Sequence, residues 1–262
     1  MQPSHSFILP AYNEGERLAS SLPKVLEYVS QRGLQAEIIV VNDGSKDDTA
    51  EVVRRFAAVN PTVRLLENPG NRGKGYSVRN GMLHARGDIV LFTDTDLSSP
   101  IDEADKLFSA LSGGADVAIG SRWLRSELQT GRQPLLRQLY GRMFNLFLRM
   151  VLGLNFHDTQ CGFKAFTRDA ALLIFPRQHV ERWGFDPEIL FLARKFELKT
   201  VEVPVEWAHD HRSKINPVRD GVRMGGEVLQ VRWNELLGRY QQPCFAAPDA
   251  VTEESTTVRV VG

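Results

Sequence analysis

The run Asp88-Ile89-Val90-Leu91-Phe92-Thr93-Asp94-Thr95-Asp96 constrains this chain more than any other stretch. Ile89 to Phe92 are four apolar strand formers in succession, the pattern of a short buried strand. The run ends in two carboxylates one residue apart, followed by Leu97-Ser98-Ser99-Pro100. In α/β folds ligands bind beyond the carboxyl ends of the strands, so Asp-x-Asp delivered there is placed to meet one. Two hard oxygen donors suit Mg²⁺ or Mn²⁺, with the diphosphate of a substrate completing the coordination shell. The same pair also reads as helix-capping aspartates ahead of Pro100. Asp-x-Asp by itself does not separate the two.

The residues before this strand repeat one unit. Phe7-Ile8-Leu9, Glu37 to Val41 and Val63 to Leu66 are strand-like, and Val117-Ala118-Ile119 follows later. Between them apolar residues recur at helical spacing: Leu18, Leu22, Val25, Leu26 and Val29, then Thr49, Val52, Val53, Phe56 and Ala57. Pro23 fits the first helix only near its first turn or as a kink. Alternation of this kind predicts an α/β fold with a mostly parallel sheet flanked by helices. The tips Asn42-Asp43-Gly44-Ser45 and Asp94/Asp96 then share one sheet edge, which favours a nucleotide-plus-metal cleft over two unrelated caps. Asn68-Pro69-Gly70-Asn71-Arg72-Gly73-Lys74-Gly75 opens a further helix, a place where anions bind readily. It matches neither a P-loop nor a dinucleotide fingerprint. Lys74 reads equally as a phosphate contact and as a solvated charge.

From residue 121 to 157 six arginines (122, 125, 132, 137, 142 and 149) face one acid, Glu127. Over residues 135–154 the polar positions Gln138, Arg142, Asn145 and Arg149 make one narrow stripe on an otherwise apolar helix. An ordinary surface helix has a narrower apolar face. The segment is expected to lie in a membrane interface with its arginines at the headgroups, or else in the core or a dimer contact. Asp158 to Phe166 mixes polar residues with a strand-like end. Trp183-Gly184-Phe185-Asp186-Pro187-Glu188 starts a helix, and Val201 to Trp207 alternates as a strand with one wet face. His209 to Lys214 reads as a polar loop. A last helix follows from Pro217, and residues 241–262 read as a disordered tail behind one domain of residues 1–240.

Composition narrows the function classes. Thirty-two basic and 32 acidic residues in 262 leave no net charge, which argues against nucleic acid as a partner. Two distant cysteines, Cys161 and Cys244, lack metal-ligand spacing and suit a reduced, cytoplasmic setting. Neither a signal peptide nor a transmembrane run is recognisable. The expectation is a cytoplasmic protein attached peripherally to the cytoplasmic face of a membrane.

Several motifs together resemble a known family. Pro10-Ala11-Tyr12-Asn13-Glu14, Val41-Asn42-Asp43-Gly44-Ser45 and Asp94-Thr95-Asp96 stand in the order and spacing of inverting GT-A glycosyltransferases of family 2. Gly120-Ser121-Arg122, Asp158-Thr159-Gln160-Cys161-Gly162-Phe163-Lys164, Trp183 to Glu188, and Ser213-Lys214-Ile215-Asn216-Pro217-Val218-Arg219-Asp220 narrow the likeness. They resemble dolichyl-phosphate (polyprenyl-phosphate) sugar synthases, nearest the β-glucosyltransferase branch. The resemblance implies a GT-A fold and transfer of a hexose from a nucleotide sugar, UDP-glucose, to a polyprenyl or dolichyl phosphate. By the same resemblance Pro10, Tyr12, Asn13, Glu14 and Asp43 would hold the donor's base and ribose, with Lys74 also at the donor. Asp94 and Asp96 would bind Mg²⁺ or Mn²⁺. Arg122 and Arg137 would grip the acceptor phosphate, and Ser213-Lys214 would close over the phosphates. Ser98 stands where the mannosyl branch carries a Gln, which weighs against GDP-mannose as donor. A hydroxyl acceptor is the main alternative, and it would need Asp158, Asp186 or Glu188 as general base. A phosphate monoester with a second pKa near ~6 needs no such base. A scaffold that keeps the fold without catalysis is a further alternative. Oligomeric state is left open.

Overall fold

The computed structural model describes residues 2–124, 129–130, 146–208 and 217–245. Four strands come first: β1 (His5–Ala11), β2 (Ala36–Asn42), β3 (Val63–Glu67) and β4 (Ile89–Thr93). Helices α1 (Gly15–Gln31), α2 (Thr49–Val59) and α3 (Lys74–His84) connect them. All four strands run parallel in the order β3-β2-β1-β4, with Phe7 opposite both Ile38 and Leu91. Asp43 and Asp94 therefore leave the sheet at the same edge.

The second half adds α4 (Ala104–Ser112), β5 (Val117–Ser121), β6 (Gln129–Thr130), α5 (residues 146–152), β7 (Phe163–Thr167) and α6 (Arg168–Ile174). Then come α7 (Phe185–Lys195), β8 (Thr200–Pro204), β9 (Trp207–Ala208) and α8 (Pro217–Leu236). The full sheet is β3-β2-β1-β4-β7-β5-β8, and β7 is antiparallel to both neighbours. So β4 and β5 are not adjacent, and the mostly parallel sheet carries one reversed strand at its middle. That reversal takes Gly162, at the entrance to β7, to the tip of β4.

Both faces are covered, as a parallel sheet requires. Because side chains alternate along a strand, Phe7 and Leu9 face Leu18, Leu22, Val53 and Leu107 on one side. Ile8 and Phe92 face Val78, Met82, Phe185 and Ile189 on the other. Among the described residues no helix is long and apolar enough to cross a membrane.

Four expectations are altered. Pro23 lies well inside α1 rather than in its first turn. It is tolerated because it and Ala19, whose carbonyl loses its partner, are both solvent-exposed. The strand expected over residues 201–207 splits into β8 and β9 after Pro204, and every residue of β8 is half-buried because the strand is a sheet edge. The part of segment 135–154 that is described packs on the core: Leu148, Leu152 and Leu154 are buried, while Leu146 and Met150 are exposed. Its first part, residues 135–145, lies outside the described residues. Finally, the C-terminal tail does not begin at residue 241. Tyr240 is fully buried, Cys244 and Phe245 donate their amides to the Pro176 carbonyl at 2.9 and 3.1 Å, and the Phe245 ring lies 3.7 Å from the Arg79 guanidinium. An aromatic pair with a cation to cover outweighs the polar composition around it.

Tyr240 donates to Glu188 Oε1 at 2.7 Å, and the same carboxyl accepts from the amides of His179 (2.9 Å) and Val180 (2.8 Å). Burial pushes the Glu188 carboxyl up to about 7, against these hydrogen bonds. A raised folded-state pKa means that its contribution to stability is complete below the unfolded value of 4.5 and is lost by about 7. The expected loss across that window is on the order of 3 kcal/mol. Urea unfolding of wild type and Glu188→Gln from pH 4.5 to pH 7 tests this. The variant should lack the slope; equal slopes would place the titration elsewhere.

Candidate active site

Site construction begins at the tip of β2. Asp43 is buried, and its Oδ1 accepts from the Arg72 amide (2.9 Å) and Asn68 Nδ2 (2.8 Å). Its Oδ2 accepts from the Gly73 amide at 2.8 Å. The anion expected at the start of α3 is thus the protein's own carboxylate. Gly73 has φ +112°, and a Cβ there would stand 2.6 Å from the Glu181 carbonyl, so only glycine fits this turn. The Asp43 oxygens hold the loop from which α3 starts.

That loop aims Lys74. Its Nζ lies 2.5 Å from Asp94 Oδ1, with the Trp183 and Phe185 rings 5.7 and 6.0 Å from the ammonium. Burial opposes the charge, but Asp94 and then Asp186 outweigh it, and the pKa of Lys74 is raised. Lys74 is not a solvated surface charge.

Beyond β4 the chain turns sharply. The Leu97 amide donates to the Asp94 carbonyl at 3.1 Å and the Ser98 amide to Asp96 Oδ1 at 2.9 Å. Leu97 takes φ +47°, a conformation costing a branched residue about 1 kcal/mol or more. The turn holds two carboxylates together at a buried edge. Burial first and Asp94 second raise the Asp96 pKa, the mark of a place short of positive charge. Gly162 passes so close that a Cβ would lie 2.2 Å from Asp94 Oδ2. Among the described residues no three His, Cys, Asp or Glu side chains gather as a metal site. Two carboxylates with a lysine already drawn to one of them fit a divalent ion that takes its remaining ligands from substrate phosphates and water.

Behind these groups lies a pair that sequence reasoning missed. Lys164, fully buried in β7, donates to the Cys161 carbonyl at 2.7 Å and pairs with Asp186 at the start of α7. Burial raises the Asp186 pKa, while Lys164 and then Lys74 oppose the shift. A lysine between two phenylalanines in a central strand was the available signal, since a buried charge must be paired.

Arg122 is paired with a carboxylate. Its Nε and Nη2 fork onto Asp158 Oδ2 and Oδ1 at 2.7 and 2.9 Å, its amide adds a third bond at 3.0 Å, and Trp207 lies 5.6 Å from its guanidinium. Burial opposes both charges, but each holds the other: Arg122 is raised and Asp158 lowered. The Nε and Nη2 edge of the guanidinium is thus engaged by a carboxylate. Asp158, ionised and forked, is also unsuited to take a proton.

Around β1 the amide of Asn13 donates to Ser45 Oγ (2.9 Å) and its Oδ1 accepts from the Lys46 amide (2.7 Å). Both Glu14 carboxylate oxygens accept from Arg17 Nη1, at 3.0 and 2.9 Å. These residues clip the β1 loop to the β2 loop. Pro10 is half-buried within β1, and Tyr12 stands exposed just beyond it. Arg137, Ser213, Lys214 and the histidines 209 and 211 lie outside the described residues.

A model of the family described as Glycosyl transferase family 2 matches residues 6–174. The dolichyl-phosphate β-glucosyltransferase ALG5C of Trichomonas vaginalis is 38% identical over 86% of this chain and 70% of its own length. The human dolichyl-phosphate β-glucosyltransferase is 34% identical over 90% of the chain and 77% of its own length. Among solved structures, glucosyl-3-phosphoglycerate synthase of Mycobacterium tuberculosis, in complex with Mn²⁺, UDP and glucosyl-3-phosphoglycerate, superposes with a TM-score of 0.62. It shares 22% identity, covering 92% of this chain and 81% of that one. Mannosyl-3-phosphoglycerate synthase of Rubrobacter xylanophilus gives 0.66 at 21% identity, with 92% and 76% covered. These solved structures establish the fold alone, and it is the GT-A fold.

Removing one member of the buried Arg122–Asp158 pair leaves the other charge unpaired. Asp158→Asn is therefore expected to lower stability by about 3 kcal/mol, read from the urea midpoint. An unchanged midpoint together with lost turnover would instead restore Asp158 as a base.

Proposed function

Because this chain belongs to glycosyl transferase family 2, and is a glycosyltransferase, we propose that it moves glucose from UDP-glucose to the phosphate of dolichyl or another polyprenyl phosphate. The anomeric centre inverts and a β-linked lipid-phosphate sugar results. One observation carries the choice of acceptor. Apart from Asp94 and Asp96, the candidate bases and Asp43 are engaged: Asp43 by amides, Asp158 by Arg122, Asp186 by Lys164, and Glu188 by Tyr240 and the amides of His179 and Val180. A hydroxyl acceptor needs a base to take its proton. A phosphate acceptor arrives already ionised and needs positioning instead. The named relatives, dolichyl-phosphate β-glucosyltransferases, favour the same acceptor and sugar.

Roles follow from the geometry. Asp94 and Asp96 would hold Mg²⁺ or Mn²⁺, which supplies charge to the departing diphosphate. Lys74 would shift from Asp94 toward that diphosphate as the ion takes its place. Tyr12, exposed beyond β1, would lie against the base, with Pro10, Asn13 and Glu14 shaping that end. Asp43 acts on the donor through the loop it holds. Arg122 sets the wall beside Trp207, and Arg137, with Ser213 and Lys214, remains the proposed grip on phosphate. Attachment to a membrane surface follows from the acceptor.

The deciding experiment incubates the protein with polyprenyl phosphate and either UDP-glucose or GDP-mannose, with Mn²⁺, Mg²⁺ or EDTA, and scores labelled sugar in the lipid phase. Glucose should enter, and EDTA should abolish entry; mannose entering in its place would reassign the donor. Asp94→Ala and Asp96→Ala should each cost at least about a hundredfold in rate. Gly162→Ala, whose methyl displaces Asp94, should weaken Mn²⁺ binding measured by electron paramagnetic resonance with UDP present. Undiminished Mn²⁺ affinity in all three would remove these carboxylates from the metal site.

A further inference from the structure

Helix α8 has two apolar faces, and only one has a partner. Val228, Val231 and Asn234 are fully buried toward the core. On the opposite side Val222, Leu229, Trp233 and Leu236 are 76, 56, 61 and 72% exposed. Leu229, Trp233 and Leu236 follow the i, i+4, i+7 rule of a single helical stripe, and Val222 lies two turns before them. Four large apolar side chains aligned on the surface are unlike the scattered exposed residues of an ordinary domain.

Charge identifies the occupant. Arg223 and Arg232, on the two flanks of the stripe, are exposed, as is Arg239 just past the helix end. Neither described acid of α8 is exposed: Glu227 takes the Gly184 amide at 2.6 Å and lies 3.4 Å from Arg223 Nε, and Glu235 takes Lys195 at 2.8 Å. The free face is thus apolar in the middle, basic at the sides, and carries a tryptophan. We propose that this face of α8 seats on an anionic phospholipid surface. An interfacial helix buries such a stripe at the acyl boundary, with tryptophan at headgroup level and arginines on anionic phosphates. A second copy of the chain fits less well, because a two-fold contact through this stripe sets arginine flanks against arginine flanks.

The placement also suits the site. Glu227 bonds Gly184, whose neighbours Trp183 and Phe185 flank Lys74. A bilayer on the free face of α8 would lie one helix diameter, roughly 10 Å, from the Gly184 loop. In this respect the inference rests on the lipid-phosphate reading above, and it names α8 as a membrane contact outside the segment 135–154.

Flotation of the full chain with phosphatidylcholine vesicles, with and without about a third phosphatidylglycerol, tests it. Wild type should float with the anionic vesicles. Leu229→Ser/Trp233→Ser/Leu236→Ser, all exposed positions, should keep the wild-type melting temperature and lose at least about tenfold in partitioning. Arg223→Gln/Arg232→Gln should lose the preference for anionic lipid. Brominated acyl chains should quench emission in wild type more than in Trp233→Phe. Unchanged flotation of the triple variant, or equal quenching, would overturn the proposal. So would a lipid-independent dimer that the triple variant abolishes. The triple variant should still transfer sugar to a detergent-dispersed acceptor at the wild-type rate. If wild type floats through α8 but glycosylates no lipid phosphate, the surface stands and the acceptor assignment falls.

Discussion

Everything at the cleft hangs from the Asp43 carboxylate. It sits where a free helix start would draw an anion, and by filling that place it fixes the amides of Arg72 and Gly73. Asn68 extends the clamp: its side-chain amide reaches both Asp43 and Ser77, and Asn80 donates back to Asn68 at 2.8 Å. The first turn of α3 is locked to the tip of β2, so the direction of Lys74 is set by the backbone. Two strand ends separated by β1 are thereby joined: Asp43 through Gly73 to Lys74, and Lys74 to Asp94.

The reversed strand β7 makes the other half of the cleft. Placed between β4 and β5, it brings Gly162 against Asp94 and buries Lys164 under the Phe92 ring, 5.4 Å from the ammonium. Burying an ion pair costs more than packing apolar groups of the same size, so Lys164 with Asp186 is not explained by stability. Its effect is electrostatic and local. Asp186 supports the charge of Lys74, and Lys164 opposes the rise that burial imposes on the Asp186 pKa. Positive and negative charges alternate from Lys164 through Asp186 and Lys74 to Asp94.

The first four strands, their order of appearance and the shared edge of Asp43 and Asp94 were legible because each strand is a short apolar run closed by a polar tip. The middle of the sheet was not. Periodicity registers that Phe163 to Thr167 is a strand, but not that it runs backwards between β4 and β5, since direction is set by contacts distant in sequence. The site residues divide in the same way. Asp94, Asp96 and Lys74 were recognisable by type and position, and they do come together. Asp43 and Arg122 were recognisable as important, but their partners, a loop amide pair and Asp158, could not be read from spacing. Gly162 and Lys164 were quoted in a motif without a role. One acts by lacking a side chain, and the other by a contact more than twenty positions along the chain.

The Arg122–Asp158 fork decides which acceptors the site can serve. Had Asp158 been unpaired at this edge, it would have stood as an ordinary base for a hydroxyl nucleophile. Forked by a buried guanidinium, its pKa is lowered, and it is a weaker base than an isolated carboxylate. Its amide is held in turn, since Glu202 accepts from the Asp158 amide at 2.8 Å and from His157 at 2.9 Å. Hydrogen bonds thus tie β8 through Asp158 to Arg122. An acceptor that carries its own nucleophilic charge, on a chain anchored beside the cleft, loses nothing by the missing base. An acceptor without that charge would have to pass its proton to a carboxylate that already has a partner.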